Sequence, residues 1–168
     1  TQEGDVLVDQ NVYAQQLQEV ELESRRNVHL LSPKEKESAR SVLGGLSWLS
    51  KQSRPDLSFD VSRLLSELVS GKREVAKEIN KLVVRAKETC YKLRFPSNID
   101  LNTCCLACFS DASWGNRSDG SSQGGFLHGL INSEALDGKE CSFSPLAWSS
   151  HRIRRVCRST LSAEAQPL

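Results

Sequence analysis

The apolar residues of this chain change their spacing near Phe95, and that change decides the class of fold. Before Phe95 they recur every three or four residues, the period of an α-helix. From Leu101 onwards they alternate or cluster in short runs, as β-strands do. Helices in one block and strands in the next predict an α+β protein. At 168 residues the chain can form one ordinary domain, or one small domain with a helical appendage.

Four helices are predicted in the first block, over residues 11–22, 32–49, 56–69 and 72–93. The second has the clearest start, because Ser32 is a good N-cap and Pro33 and Glu35 follow it. Gly71 is expected to end the third. Gly44 and Gly45 each cost a helix about 1 kcal/mol relative to alanine, so close packing against a neighbour is expected there.

The helix predicted over 72–93 has a strongly basic exposed side. With Arg94, its polar positions carry eight Lys or Arg and three Glu residues. One interpretation is an ordinary solvated face. The other is a cationic surface that follows a phosphate backbone, which would make binding steeply dependent on salt.

Three strands and a helix are predicted after the linker at 95–98. The strands are Thr103–Ser110, Gln123–Ile131 and Phe143–Ser150, and their short spacing predicts an antiparallel meander. The final helix is expected to begin at Ser159 or Thr160. Trp114 and Trp148 are expected in the core, and His128 is expected to pack on the sheet.

Two carboxylates stand out in this second block. Asp111 is predicted at the end of the first strand, and Glu164 in the first turns of the last helix. Carboxylate oxygens are the ligands that Mg²⁺ prefers, and carboxylates on facing elements can hold the ions used in phosphodiester hydrolysis. Isolated acidic residues are more often plain surface charges, so the pair alone is weak evidence.

An arginine-rich turn joins the third strand to the last helix. It contains Arg152, Arg154, Arg155 and Arg158. These side chains are either ordinary solvated charges of a connecting loop or contacts to nucleic-acid phosphates that read backbone shape rather than sequence.

The distribution of charges and cysteines bears on the partner and the cellular compartment that we expect. Residues 25–168 hold all 22 basic residues but only 15 of the 21 acidic ones, which weakly favours a polyanionic partner. The six cysteines are expected to be free thiols, since alternation puts Cys104 and Cys108 on one strand face and Cys105 on the other. No apolar run is long enough to span a membrane, so a soluble intracellular protein, cytoplasmic or nuclear, is expected.

Several runs in order closely resemble the polyprotein of copia-type retrotransposons, downstream of the reverse-transcriptase palm. The helix and the Arg-Pro-Asp motif that resemble the family lie in Glu37–Ser50 and Ser53–Ser62. The runs that resemble the first three strands and the first helix of the family's ribonuclease H domain are Phe109–Gly115, Ser122–Leu127, Leu146–His151 and Ser159–Ala165.

The resemblance implies a division of the chain and a function. Residues 1–31 would be the end of the palm or a linker, 32–96 the thumb or connection region, and 97–168 the N-terminal part of a ribonuclease H-like fold. Asp111 and Glu164 would be the first two acidic ligands of an Mg²⁺ site that cleaves the RNA strand of RNA–DNA hybrids. The expected partners are the hybrid or another nucleic acid and the remainder of the polyprotein, with no membrane and no small-molecule substrate.

Two expectations concern activity. The family's remaining two aspartates and its polymerase motif are not among these 168 residues, so we expect this chain to cleave hybrid poorly or not at all. The alternative is a catalytically inactive remnant that at most binds nucleic acid or protein through its basic helix and arginine turn.

Overall fold

The structure is a computed structural model that describes residues 3–24, 28–115, 117, 119–154 and 159–165. It divides into a helical unit, Asp9–Tyr91, and a sheet unit, Thr1–Val8 with Lys92–Leu168. These boundaries differ from the predicted ones at residues 31 and 96, because the N-terminal segment is shared between the two units. The helices-then-sheet order of the α+β prediction is confirmed.

The described part of the helical unit contains four α-helices: α1 Asn11–Gln16, α2 Pro33–Gln52, α3 Ser58–Glu67 and α4 Arg73–Glu88. Short 3₁₀ turns, Pro55–Leu57 and Leu68–Ser70, flank α3, so that the three together cover the helix predicted over 56–69. The apolar stripes of these helices meet in one buried core, which contains Ala39, Leu43, Leu46, Leu49, Leu57, Val61, Leu64, Ile79, Leu82 and Val83.

The start of α2 is the predicted one. The Ser32 hydroxyl accepts from the Glu35 N–H (3.2 Å), and the Glu35 carboxylate accepts from the Ser32 N–H (2.7 Å). This reciprocal capping satisfies two donors at the helix start. Glu35 is buried and also pairs with Arg73 on α4 (3.0 Å), so the cap fixes two helices at once.

Two predicted helix ends are wrong. Helix α1 stops at Gln16 rather than Leu22, because Leu17 turns extended and Asn80 of α4 binds the N–H and the carbonyl of Val20 (2.8 and 3.0 Å). Helix α4 ends at Glu88 rather than at residue 93, because the Arg54 guanidinium donates hydrogen bonds to the carbonyl oxygens of Ala86 and Thr89. In both cases a distant side chain replaces the bonds of a longer helix.

Among the described residues of the sheet unit there are five strands and one α-helix: β1 Val6–Val8, β2 Leu93–Phe95, β3 Cys104–Ser113, β4 Gln123–Asn132, β5 Phe143–Arg152 and α5 Thr160–Glu164. Strands β1 and β2 pair antiparallel. Strands β3, β4 and β5 form the predicted antiparallel meander in that order, with an irregularity in the β4–β5 pairing at His128/Gly129. Strand β3 extends three residues past the predicted end, so Asp111 lies inside the strand rather than after it.

None of the helices in the described part of the chain is both long and apolar enough to cross a membrane.

Candidate functional site

Asp111 lies on β3, which forms one edge of the three-stranded sheet. Its side chain is exposed. Its partner in the register is Gly125 on β4, which in turn pairs with Ser150 on β5. Gly125 has no side chain, and a Cβ at this position would come within 3.2 Å of the Ser149 carbonyl oxygen, so the backbone of β5 lies close beside it.

The opposite face of the same strand holds α5. Ala112 forms a small buried cluster with Ile153 and Ala163. Ser159 caps α5, since its hydroxyl accepts from the Ser162 N–H (3.2 Å). The helix therefore begins where the sequence predicted it, at Ser159 or Thr160. Tight packing of two alanines lets the helix and the strand approach closely.

The packing of α5 on β3 therefore places the backbone of Glu164 near this strand. It is the last residue of α5, follows the buried Ala163, and is half-buried. Strand alternation directs Asp111 away from the face on which Ala163 packs. The structure thus places Asp111 and Glu164 on opposite faces of β3, so a cation bound to both would require the Glu164 side chain to reach around this edge strand.

The donor set decides which metal chemistry is compatible with this edge. Carboxylate oxygens suit Mg²⁺, which often takes one or two carboxylates together with water and substrate phosphate. Within the described ranges, however, no group of three or more His, Cys, Asp or Glu side chains could hold a metal ion. By number alone, two carboxylates suit a single hydrated Mg²⁺ and are too few for a pair of ions.

The predicted arginines are only partly described. Arg152 ends β5 and pairs with Asp119 (3.0 Å), with both side chains about half exposed. Arg154 is exposed. Arg155 and Arg158 lie outside the described residues. Because Asp119 neutralises part of its charge, Arg152 would attract a phosphate less strongly than an unpaired arginine.

Asp119 is a residue that the sequence reasoning missed. The Ser121 hydroxyl (2.6 Å) and the Ser121 N–H (3.0 Å) both donate to its carboxylate, and with Arg152 nearby they lower its pKa below the usual range. The local signal was present, because Asp followed two residues later by Ser is typical of such a turn.

A second polar link holds the β3–β4 loop to the sheet. Arg117 donates to the Gln123 side-chain oxygen, and the Gln123 amide donates to the Ser150 hydroxyl (2.7 Å). Gln123 is buried. The loop is thus tied to β4 and β5 beside the Asp111 end of the sheet.

Trp114, Trp148 and His128 differ in how far they are buried. Trp114 is 53% exposed, so its predicted core position is wrong. Trp148 is half-buried. His128 stacks on Phe126 with ring centroids 4.5 Å apart, as expected for a histidine packed on the sheet.

Two basic side chains of α4 pair with acidic residues. Lys81 pairs with Glu78 (2.7 Å), and Arg85 pairs with Asp60 (2.9 Å). The Lys81 hydrogen bond lowers the pKa of Glu78. A shallow groove of about 140 Å³ between α3 and α4 is lined by Asp60, Arg63, Leu64, Glu78, Lys81, Leu82 and Arg85. These two pairs lower the net positive charge of this side of α4, and both interpretations of it stay predictions.

The described cysteines are free thiols: Cys90, Cys104, Cys105, Cys108 and Cys141. Cys157 lies outside the described residues.

No protein-family model, curated protein or solved structure matches the chain. The functional argument therefore depends on the site itself.

Proposed function

We propose that the chain is part of a copia-type retrotransposon reverse transcriptase/ribonuclease H polyprotein. Its sheet unit would contribute Asp111 and Glu164 to metal-dependent hydrolysis of the RNA strand of RNA–DNA hybrids. The observation that carries the proposal is the exposed Asp111 beside the side-chain-free Gly125, on the strand against which α5 packs.

The order of elements supports the same proposal. A three-stranded antiparallel meander followed by a helix with an acidic residue is what the N-terminal part of a ribonuclease H-like fold requires. The helical unit would then correspond to the thumb or connection region, with its Arg-Pro-Asp motif in a structural role. The four sheet-unit runs that resemble the family fall on β3, β4, β5 and α5.

Each group at this edge has a chemical task in the proposal. The exposed Asp111 carboxylate would face the phosphodiester backbone. Asp111 and Glu164 would hold Mg²⁺, which stabilises the negative charge that develops on phosphate oxygens during hydrolysis. Arg154, and Arg152 once it leaves Asp119, would contact phosphates and thereby position the hybrid.

Two carboxylates are fewer than paired-ion hydrolysis needs. We therefore expect the 168-residue chain to bind hybrid in an Mg²⁺-dependent manner and to cleave it slowly or not at all. Turnover of hybrid that disappears in Asp111→Asn would contradict this expectation of inactivity.

The experiment measures binding of a fluorescent RNA–DNA hybrid by anisotropy, with and without Mg²⁺. Asp111→Asn and Glu164→Gln should each abolish the Mg²⁺-dependent part of the affinity. Asp137→Asn is the matched control, because it removes the same charge from an exposed residue beyond the other end of β4. Equal Mg²⁺ dependence in wild type and Asp111→Asn would contradict the proposed site.

A second candidate is a non-catalytic nucleic-acid-binding module. It is favoured by the lack of a three-ligand group in the described part of the chain. In that case hybrid binding would be insensitive to Asp111→Asn and to Mg²⁺, and it would fall when Arg152 and Arg154 are both changed to Glu.

A further inference from the structure

Strand β3 has an open outer edge. The three-stranded sheet has the order β3–β4–β5, and in the described part of the chain no strand or isolated bridge pairs with the outer side of β3. Every second residue of an edge strand directs its N–H and C=O groups away from the sheet, where they can pair with another strand. The edge runs along the whole of Cys104–Ser113. It is therefore a place where a further strand can be added.

The two outer strands of this sheet differ in the features that discourage such pairing. Strand β5 contains Pro145 and ends at Arg152, and β2 of the same unit lies beside it. Strand β3 contains no proline, lysine or arginine, and it is uncharged from Cys104 to Ser110. On it, Leu106 and Phe109 are 62% and 57% exposed. A long edge that is uncharged and carries exposed apolar side chains is prone to pair with another strand.

The position of Asp111 favours one orientation of a second copy. It is the only charged residue of β3 and lies near the end of the strand. Parallel pairing of two copies in register would place the two Asp111 carboxylates next to each other, which destabilises a sheet. Antiparallel pairing about the middle of β3 separates them by roughly 14–20 Å and places each opposite an uncharged residue. Two copies of this strand are therefore compatible in the antiparallel arrangement.

The register of such a pair follows from the two faces of the sheet. Residues directly opposite each other in an antiparallel pair lie on the same face, so a continuous sheet with two-fold symmetry is centred on a single residue. The longest overlaps are centred on Cys108 or on Phe109. Both bring the two Cys108 side chains directly opposite or diagonally across from each other. Because Cys108 is an exposed free thiol, its position in a dimer can be measured.

We propose that two copies of this chain associate through antiparallel pairing of their β3 strands, which joins their β3–β4–β5 sheets into one continuous sheet. A second copy is the partner that the structure favours, because pairing occupies the β3 edge of both copies at once. The contact therefore closes at a two-fold dimer rather than continuing into a fibre. This inference goes beyond the proposed function and does not depend on it.

The test measures the association of the full chain by sedimentation equilibrium up to millimolar concentration. The buffer is reducing and free of divalent ions, because a cation shared by Asp111 and Glu164 would need this edge free. Wild type should form a dimer. Leu106→Lys should raise the dissociation constant by about tenfold or more, since it puts a charge on the paired edge of each copy. Leu146→Lys is the matched control and should dimerise like wild type, because Leu146 is 55% exposed on β5 instead.

Cross-linking of the wild-type chain tests the register independently. A short bismaleimide should join two chains through Cys108, so the cross-linked dimer should be lost in Cys108→Ser. It should be retained in Cys90→Ser, which removes an exposed thiol of the helical unit.

Three results would overturn the inference. One is a wild-type chain that stays monomeric over the whole concentration range, which would leave the edge to a different partner. Another is a dimer that Leu146→Lys disrupts as strongly as Leu106→Lys. The third is a cross-linked dimer that survives Cys108→Ser, since its contact would then lie outside the middle of β3.

Discussion

Arg54 illustrates how one side chain determines the local structure of the helical unit. It is 2% exposed, and each of its three guanidinium nitrogens donates at least one hydrogen bond. It makes two bonds to the Asp56 carboxylate (2.9 and 3.0 Å) and one to each of the Ala86 and Thr89 carbonyls. A buried charge is tolerated when it is paired and hydrogen-bonded, so the Arg-Pro-Asp motif has a structural explanation independent of catalysis.

Removing this side chain should be costly. Arg54→Ala leaves Asp56 and two carbonyls without their partner, and we expect the free energy of unfolding to fall by about 3 kcal/mol. Urea unfolding followed by far-UV circular dichroism measures the loss. Arg40→Ala is the control, since Arg40 is exposed on α2 and its removal should change stability by less than about 0.5 kcal/mol. Equal stability of the two variants would contradict this role.

At the scale of elements, helix α2 contains two adjacent glycines in different environments. A side chain at Gly45 would come within 2.8 Å of Leu17 and 3.1 Å of the Tyr13 hydroxyl, whereas nothing lies within 4 Å of one at Gly44. The predicted close packing therefore holds for Gly45 and is wrong for Gly44. Only one of the two glycines is required by the fold.

This difference predicts opposite effects of the same substitution. Gly44→Ala should stabilise the helical unit by up to about 1 kcal/mol, because alanine favours the helix and meets no neighbour. Gly45→Ala should destabilise it by about 1–3 kcal/mol, because the added methyl group displaces Leu17 from the core. Thermal unfolding of both variants measures the two signs, and equal shifts would refute the packing at Gly45.

The loop between β3 and β4 carries a second prediction at this scale. Asp119→Asn should free Arg152 from its ion pair, so that affinity for hybrid rises and log Kd depends more steeply on log salt, by up to about 0.9 per released contact. Asp137→Asn removes the same charge at a distance and should leave the salt slope unchanged. Identical salt slopes in Asp119→Asn and wild type would show that Arg152 does not reach a phosphate.

Sequence reasoning succeeded for elements whose signals are local. The Ser32 cap and the approximate positions of β3, β4 and β5 are encoded within a few residues. The ends of α1 and α4 were wrong because Asn80 and Arg54, far away in the sequence, bind the backbone there. The exposure of Trp114 also escaped prediction, since it depends on how the following loop is tied to β4 and β5.

For the whole molecule, the division into units depends on pairings that no local pattern reveals. Val6–Val8 joins the sheet unit because β1 pairs with β2, across the entire helical unit in sequence. The candidate site is assembled in the same non-local way, since Ala112 and Ala163 bring α5 to β3. Asp111 and Glu164 were identifiable by residue type, whereas the packing of α5 on the face of β3 opposite Asp111 depended on the fold.

The most direct test of the account is a count of divalent ions at this edge. Mn²⁺ is titrated into the chain and the free ion is followed by electron paramagnetic resonance. We predict one weak site per chain that is lost in Asp111→Asn and in Glu164→Gln and retained in Asp137→Asn. A stoichiometry and affinity unchanged by Asp111→Asn would contradict the claim that Asp111 and Glu164 share a metal ion.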